Sequence, residues 1–546
     1  MVRSLFFRII LLISLPAFSQ TTNSKGVQRP KLVVGIVVDQ MRWDFLYRFY
    51  DRYSSTGGFK RMMNQGFNCE NTLIPYAPTI TACGHAAIYT GSVPAVHGIS
   101  GNAWWDRLQM RSVYCTEDKT VRGVGSQTPV AGEQSPRNML VTTICDEMKF
   151  ASNFKSKVIG IAIKDRGSIL PAGHSADAAY WYDSQVGKFI TSNYYMTELP
   201  QWVNAFNDKR WPDILYRQNW NTLYPISTYV QSTADEKNYE SKPFGATAKG
   251  FPYDLSGFIE KNYGAIATTP HGNTLTFEMA KAAIEGEQLG KDAITDFLTL
   301  SFSSPDYIGH SFGPNSIEIE DNYLRLDKTL GDLLNYLDTR IGKGQYLLFL
   351  SADHGVSPIP GFLQEKKLPG GTINESTWMS SMNAKLKELY GIDKAIVSMY
   401  NYQVHLDHRL IDSLKGDEDK IKNYIVGYLS GQKGVSQAYD ISRIMQIPIN
   451  EKIRARFANG YFPSRNGDVQ IILQPNYMEG GATGTTHGSW YPYDAHIPLL
   501  FYGWNIKPGK TNREVYMTDI APTLAALLKI QMPSGTVGDV ITEIVR

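Results

Sequence analysis

The chain has 546 residues, enough for several small domains or one large elaborated one. Its 42% apolar content and ten tryptophans exclude a mainly disordered protein. The formal net charge is +2, and Arg3 and Arg8 in the first segment account for it, so the remainder is neutral and carries no footprint for nucleic acid or an anionic membrane.

The first nineteen residues pair basic groups with an apolar run and end in small residues near Ala17 and Ser19. This pattern predicts a secretory signal peptide cut after Ser19. Arg8 interrupts the apolar run, and no later run is long enough to span a bilayer. The expected destination is the periplasm or the outside of the cell, with no membrane attachment after cleavage. Cys69, Cys83, Cys115 and Cys145 lie in the first third, match no zinc-ribbon spacing and read as structural or free thiols.

Four apolar, β-branched runs end in charged groups. They are KLVVGIVV before Asp39, KVIGIAI before Lys164, DFLTLSFSSP before Asp306, and YLLFLSA before Asp353 and His354. Runs of this kind predict buried parallel strands. Between them the pattern predicts helices over Thr79–Gly91, Asn273–Glu285 and Asn322–Thr339. The fold class expected is α/β, a three-layer sandwich around a mostly parallel sheet with inserted cap segments. One catalytic domain should run from 30 to 546, with insertions at about 187–272 and 359–465. The second insertion should hold a helix over Met382–Tyr390, a strand over Ala395–His405 and a helix over Asp417–Leu429. Strands Asp468–Gln474 and Pro498–Trp504 should return the chain to the core sheet, before a last helix over Asp519–Leu528.

Ligands of an open α/β sheet sit beyond the carboxyl ends of its strands. The sequence therefore directs Asp39, Lys164, Asp306, Asp353 and His354 to one rim. Like-charged carboxylates gather there only around something cationic, and a metal is the simplest candidate. His310 in D-Y-I-G-H and His487 in GGATGTTHGSW complete two sets of three oxygen or nitrogen donors. Two ions about 4 Å apart suit phosphoryl chemistry, but spacing alone does not assign the ligands to each ion. His85, His97, His174, His271, His405, His408 and His496 read as ordinary polar residues.

Thr79, after Pro78, stands where a helix should begin, and Thr81 competes with it two residues on. A helix N-terminus stabilises an anion, and a hydroxyl there becomes a nucleophile beside a cation. Lys164 and Arg166, two apart in an extended segment, should point to one side and clamp a dianion. Asn102 in the Gly-rich H-G-I-S-G-N turn is a neutral donor for a phosphate oxygen.

Together VVDQMR, the P-T helix start, H-G-I-x-G-N, D-x-x-G-H, S-A-D-H-G and the late T-T-H resemble the alkaline phosphatase superfamily. The resemblance is closest to its secreted, phosphate-irrepressible members with a threonine nucleophile. It implies two zinc ions, one held by Asp306, His310 and His487. The other would be held by Asp39, Asp353, His354 and the Thr79 oxygen. It also implies a phosphate pocket of Asn102, Lys164 and Arg166. The implied activity is hydrolysis of small phosphate monoesters through a phosphothreonine. The alternatives are a phosphodiesterase or nucleotide pyrophosphatase on the same scaffold, and a non-catalytic, metal-stabilised secreted binding protein. Oligomeric state and the physiological monoester are not legible from the sequence.

Overall fold

The computed structural model describes residues 27–126 and 128–545, so the signal peptide expected over 1–19 lies outside the described residues. The core is a ten-stranded sheet. Its centre is Leu32–Val38, flanked in parallel by Asp296–Phe302 and Tyr346–Ser351. Val158–Ala162 and Ala178–Asp183 continue the parallel run on one side. Leu499–Gly503 adds antiparallel on the other, next to Tyr346–Ser351. All seven residues of Leu32–Val38 are buried, as are all seven of Asp296–Phe302. That is why these strands read as unbroken apolar runs rather than alternating ones: both faces are covered.

Two groups of helices cover those faces. Asp165–Ala172 packs on Val158–Ala162 and Asp296–Phe302 with Thr81–Thr90 beside it, whereas His271–Gly286 meets the same two strands alongside Ile317–Leu337. The three-layer, mostly parallel architecture is therefore present. Ile317–Leu337 starts five residues earlier than the apolar pattern suggests, because the Ser316 hydroxyl accepts the Ile319 N–H and caps it.

Within the span read as the first insertion, Lys188–Ser192 pairs antiparallel with Ala178–Asp183 and belongs to the central sheet. The following stretch holds short helices, Gln201–Asp208 and Trp211–Tyr216, and an aromatic cluster of Trp220, Phe244, Phe251 and Tyr253 that packs against Phe312 of a later helix. The later segment builds a second, four-stranded antiparallel sheet with its own apolar core around Trp378, Met382, Ile421, Ile425 and Val469. Two expectations change here. The run Ala395–His405 is a hairpin, Ile396–Tyr400 and Gln403–Leu406, because Asn401 and Tyr402 turn it with φ of 56° and 59°. Val469–Leu473 joins this second sheet, between Gln403–Leu406 and Val435–Asp440, and does not return to the core.

The four cysteines are buried and free. No helix of the described residues is long and apolar enough to cross a membrane.

Helix Thr81–Thr90 lies hard against the segment carrying Asp353: a methyl built on Gly84 would sit 2.4 Å from the Asp353 carbonyl oxygen. Gly84→Ala should therefore overpack this contact and cost about 1–3 kcal/mol. Gly427→Ala, in helix Glu418–Ser430 with nothing within 4 Å, should stabilise by up to about 1 kcal/mol. Chemical denaturation of both variants measures the contrast.

Candidate active site

The carboxyl ends of the central strands bring the predicted acids together. Asp39 follows Leu32–Val38 directly, and its N–H donates to Phe302 O on the neighbouring strand at 3.1 Å. Asp306 lies in the first turn of helix Ser304–Phe312, so His310 follows one turn later on the same face. His310 Nε2 stands 3.1 Å from Asp306 Oδ1. Asp353 lies two residues past the end of Tyr346–Ser351, and His354 follows it. His487 Nε2 approaches Asp306 Oδ1 to 3.8 Å from the distant Gly/Thr-rich loop. Its ring stacks on His354 with centroids 3.5 Å apart.

Each histidine is oriented by a backbone carbonyl. The Nδ1–H of His310 donates to Thr485 O at 2.7 Å, that of His354 to Gly355 O at 2.9 Å, and that of His487 to Thr79 O at 2.7 Å. All three are left with Nε2 free to accept, the usual arrangement behind a metal-ligating imidazole. His354 Nε2 lies 3.6 Å from Asp39 Oδ1 and 3.4 Å from Asp353 Oδ2.

Lys164 is the cation between the acids, donating to Asp39 Oδ2 at 2.7 Å and to Asp306 Oδ2 at 2.5 Å. One ammonium does not balance three buried carboxylates. Burial and then the Asp353 charge push the Asp39 carboxyl well above its usual range, with Lys164 opposing them. Burial also raises Asp306 and Asp353, but His310 and Lys164 overcome it at Asp306, and His354 and His85 at Asp353, so both end below the usual range. Burial pushes His354 and His487 down, which keeps them neutral, the form that binds metal.

Asp39 Oδ1 and Asp353 Oδ2 are buried without a hydrogen-bond partner among the described residues. Asp39, Asp353 and His354 offer ligand atoms within 4.8 Å of one another, and so do Asp306, His354 and His487. Excess buried negative charge, orphaned carboxylate oxygens and carbonyl-oriented imidazoles are a donor set fit for a metal cation. His354 borders both groups.

The two threonines separate. Thr81 is the first residue of its helix, and its Oγ1 lies 3.2 Å from His354 Nε2. Thr79, the residue expected to face the cations, turns its hydroxyl to Ser489 O at 2.7 Å and lends its carbonyl to His487. The physical reason is the helix start: it begins at Thr81, not Thr79, and the residue before it, Ile80, is extended. Asn102 Oδ1 accepts the Ala82 N–H at 3.0 Å, which sets it beside Thr81.

Lys164 and Arg166 do not point together as an extended segment would require. The helix begins at Asp165, so the two-residue period stops there. Lys164 turns into the carboxylates, while Arg166 Nη1 donates to Tyr114 OH at 2.9 Å. Both still line one 440 Å³ cavity with Tyr114, Trp181 and Tyr307.

Two participants escaped the sequence reading. Gln40 spans the ligand groups: its N–H donates to Asp353 Oδ1 at 3.1 Å and its Nε2 to Asp306 Oδ1 at 2.7 Å, with φ at 66°. Its only sequence signal was adjacency to Asp39. His85, read as ordinary, sits 3.3 Å from Asp353 Oδ2 and hydrogen-bonds the Thr81 carbonyl. Its position one turn after Thr81 was the available signal.

The family model for type I phosphodiesterase/nucleotide pyrophosphatase matches residues 33–490. The chain belongs to this family, a branch of the alkaline phosphatase superfamily. It is 54% identical to alkaline phosphatase PhoV of Synechococcus elongatus over 95% of this chain and 94% of the relative. It is 50% identical to alkaline phosphatase PafA of Elizabethkingia meningoseptica over 98% of each. The crystal structure of PafA superposes with a TM-score of 0.93 over 95% of this chain and all of that one. A protein of Myroides odoratus named calcium-transporting ATPase is 51% identical over 96% of each chain.

Removing a bound cation from this family member should expose the repulsion among its acids. A chelator should lower the melting temperature and added zinc restore it, since a ligand at a thousand times its Kd contributes about 4 kcal/mol. Calorimetry beside elemental analysis reads this; a protein without metal and without a chelator response would refute it.

Proposed function

We propose that the protein is a phosphate monoester hydrolase with Thr81 as its nucleophile. The observation that carries this reading is the Thr81 hydroxyl, at a helix N-terminus and 3.2 Å from His354 Nε2, beside three buried carboxylates. The alkaline phosphatase names of relatives at 54% and 50% identity support it. So does a solved variant of PafA, in which a threonine is replaced by serine and an asparagine, a lysine and an arginine by alanine, at spacings of 21, 62 and 2 residues. Thr81, Asn102, Lys164 and Arg166 follow the same spacings; Thr79 does not.

In this reading the Thr81 oxygen attacks phosphorus as the ester oxygen departs, leaving a phosphothreonine that water hydrolyses. Zinc ions, one held by Asp306, His310 and His487 and one by Asp39, Asp353 and His354, would supply Lewis-acid charge to the attacking and leaving oxygens. The helix N-terminus favours the alkoxide. Asn102 and Arg166 donate to the non-bridging phosphate oxygens, and Lys164 balances charge between the acids and the dianion. A monoester carries one negative charge more than a diester, so this cationic pocket favours the monoester. Thr79 acts at a distance, fixing the His487 loop through its carbonyl. From the N-terminal pattern we infer export to the periplasm or beyond, and we take the segments around 193–270 and 371–479 as caps over the rim.

The test compares an aryl monoester with its methyl diester. Thr81→Ala should lower monoester kcat by at least about a thousandfold, as loss of a nucleophile does. Thr79→Ala should cost about 1 kcal/mol of stability, one hydrogen bond, and far less activity. The reverse ranking would assign the nucleophile to Thr79. Lys164→Ala or Arg166→Ala should lower monoester turnover by about a hundredfold and diester turnover less; a wild type that prefers the diester would favour the phosphodiesterase reading.

A further inference from the structure

Asn102 and Arg166 are tied to one hairpin. Ala103–Asp106 pairs antiparallel with Arg111–Tyr114, and the Cys115 N–H closes the base on the Asn102 carbonyl at 2.9 Å. Asn102 thus precedes one strand and Tyr114 ends the other. The Tyr114 hydroxyl lies between two charges: it donates to Asp165 Oδ1 at 2.7 Å and accepts from Arg166 Nη1 at 2.9 Å. The direction is fixed, because a guanidinium only donates and a carboxylate only accepts. Arg166 Nη1 stands 3.9 Å from Asp165 Oδ1, separated from a direct pair by that hydroxyl. Arg166 Nε is buried and unpartnered among the described residues. At the other end, the second sheet's segment grips the hairpin. Arg107 Nη2 donates to Asp468 Oδ1 and Asn466 O, both at 2.9 Å, and Arg409 Nη2 donates to Leu108 O at 2.9 Å.

We propose that Tyr114 is a positioning residue for monoester selectivity: its hydroxyl keeps Arg166 off Asp165, with the remaining donors of the fork free for the second negative charge of a phosphate monoester. The inference rests on the monoesterase reading above. Without the hydroxyl, Arg166 closes on Asp165, its charge is neutralised locally, and the preorganised fork is lost. The hairpin makes Asn102 and Arg166 one unit, and the capping segment sets where that unit stands.

The experiment measures kcat/KM for an aryl monoester and its methyl diester, and inhibition by inorganic phosphate, in wild type, Tyr114→Phe, Arg166→Ala and the double variant. Tyr114→Phe should lower monoester kcat/KM about tenfold, the scale of one hydrogen bond to a charged group, and weaken phosphate inhibition comparably. Diester kcat/KM should fall several-fold less. In the Arg166→Ala background the same change should have no further effect, since coupled residues are non-additive. Equal losses on both esters, or full additivity in the double variant, would overturn the positioning role. A wild type that prefers diesters would instead overturn the monoesterase reading, and the Tyr114–Arg166 coupling would still be read from phosphate inhibition.

Discussion

Asp39, Asp306 and Asp353 are all buried at one rim of the sheet, joined through Lys164 and Gln40, and the rest of the structure is arranged around their repulsion. Two unit charges 4 Å apart repel by about 4 kcal/mol at an effective dielectric of 20. Lys164 meets two of the acids and leaves the third to the imidazoles. The parallel sheet makes this possible. Backbone hydrogen bonds along Leu32–Val38 and its two neighbours hold the strand ends rigidly side by side, so their acids are not free to separate.

Neutral dipoles then do the orienting. Three backbone carbonyls, from Thr79, Gly355 and Thr485, each take the Nδ1–H of one histidine. Gln40 donates to acids of both ligand groups. Apart from the Gln40 side-chain amide, the groups that hold these residues from behind are peptide groups, which cannot rotate away as side chains can. Thr79 belongs to this supporting class, and Thr81, two residues on, opens the helix that faces the cluster. The absence of a Cβ at Gly84 is what lets that helix approach Asp353 so closely.

In the proposed monoesterase reading, phosphate selectivity draws on more distant parts of the chain. Arg166 is anchored through Tyr114 to a hairpin whose tip is held by Asp468 and Arg409 of the second sheet's segment. The second sheet's segment contributes no ligand atom to the acid cluster, yet in the proposed reading it bears on the geometry of the phosphate pocket. In that reading charge on Arg166 is useful only while Asp165 does not consume it, and the Tyr114 hydroxyl bridges the two.

Much of this was legible in the linear chain. Fully apolar runs with charged ends specify buried parallel strands, and the strand-end rule sends Asp39, Asp306, Asp353 and His354 to one rim, because local hydrophobicity decides both. His310 follows from helical spacing after Asp306. What the sequence left open was set by contacts between remote segments. Thr79 and Thr81 carry the same side chain, and only the position where the helix begins, governed by packing against Asp353 and the His487 loop, turns one toward the cluster and the other away. Val469–Leu473 is apolar enough for either sheet, and its partners decide which. The directions of Lys164 and Arg166 depend on acids and a tyrosine far along the chain, and no local pattern records which neighbour a long charged side chain will find.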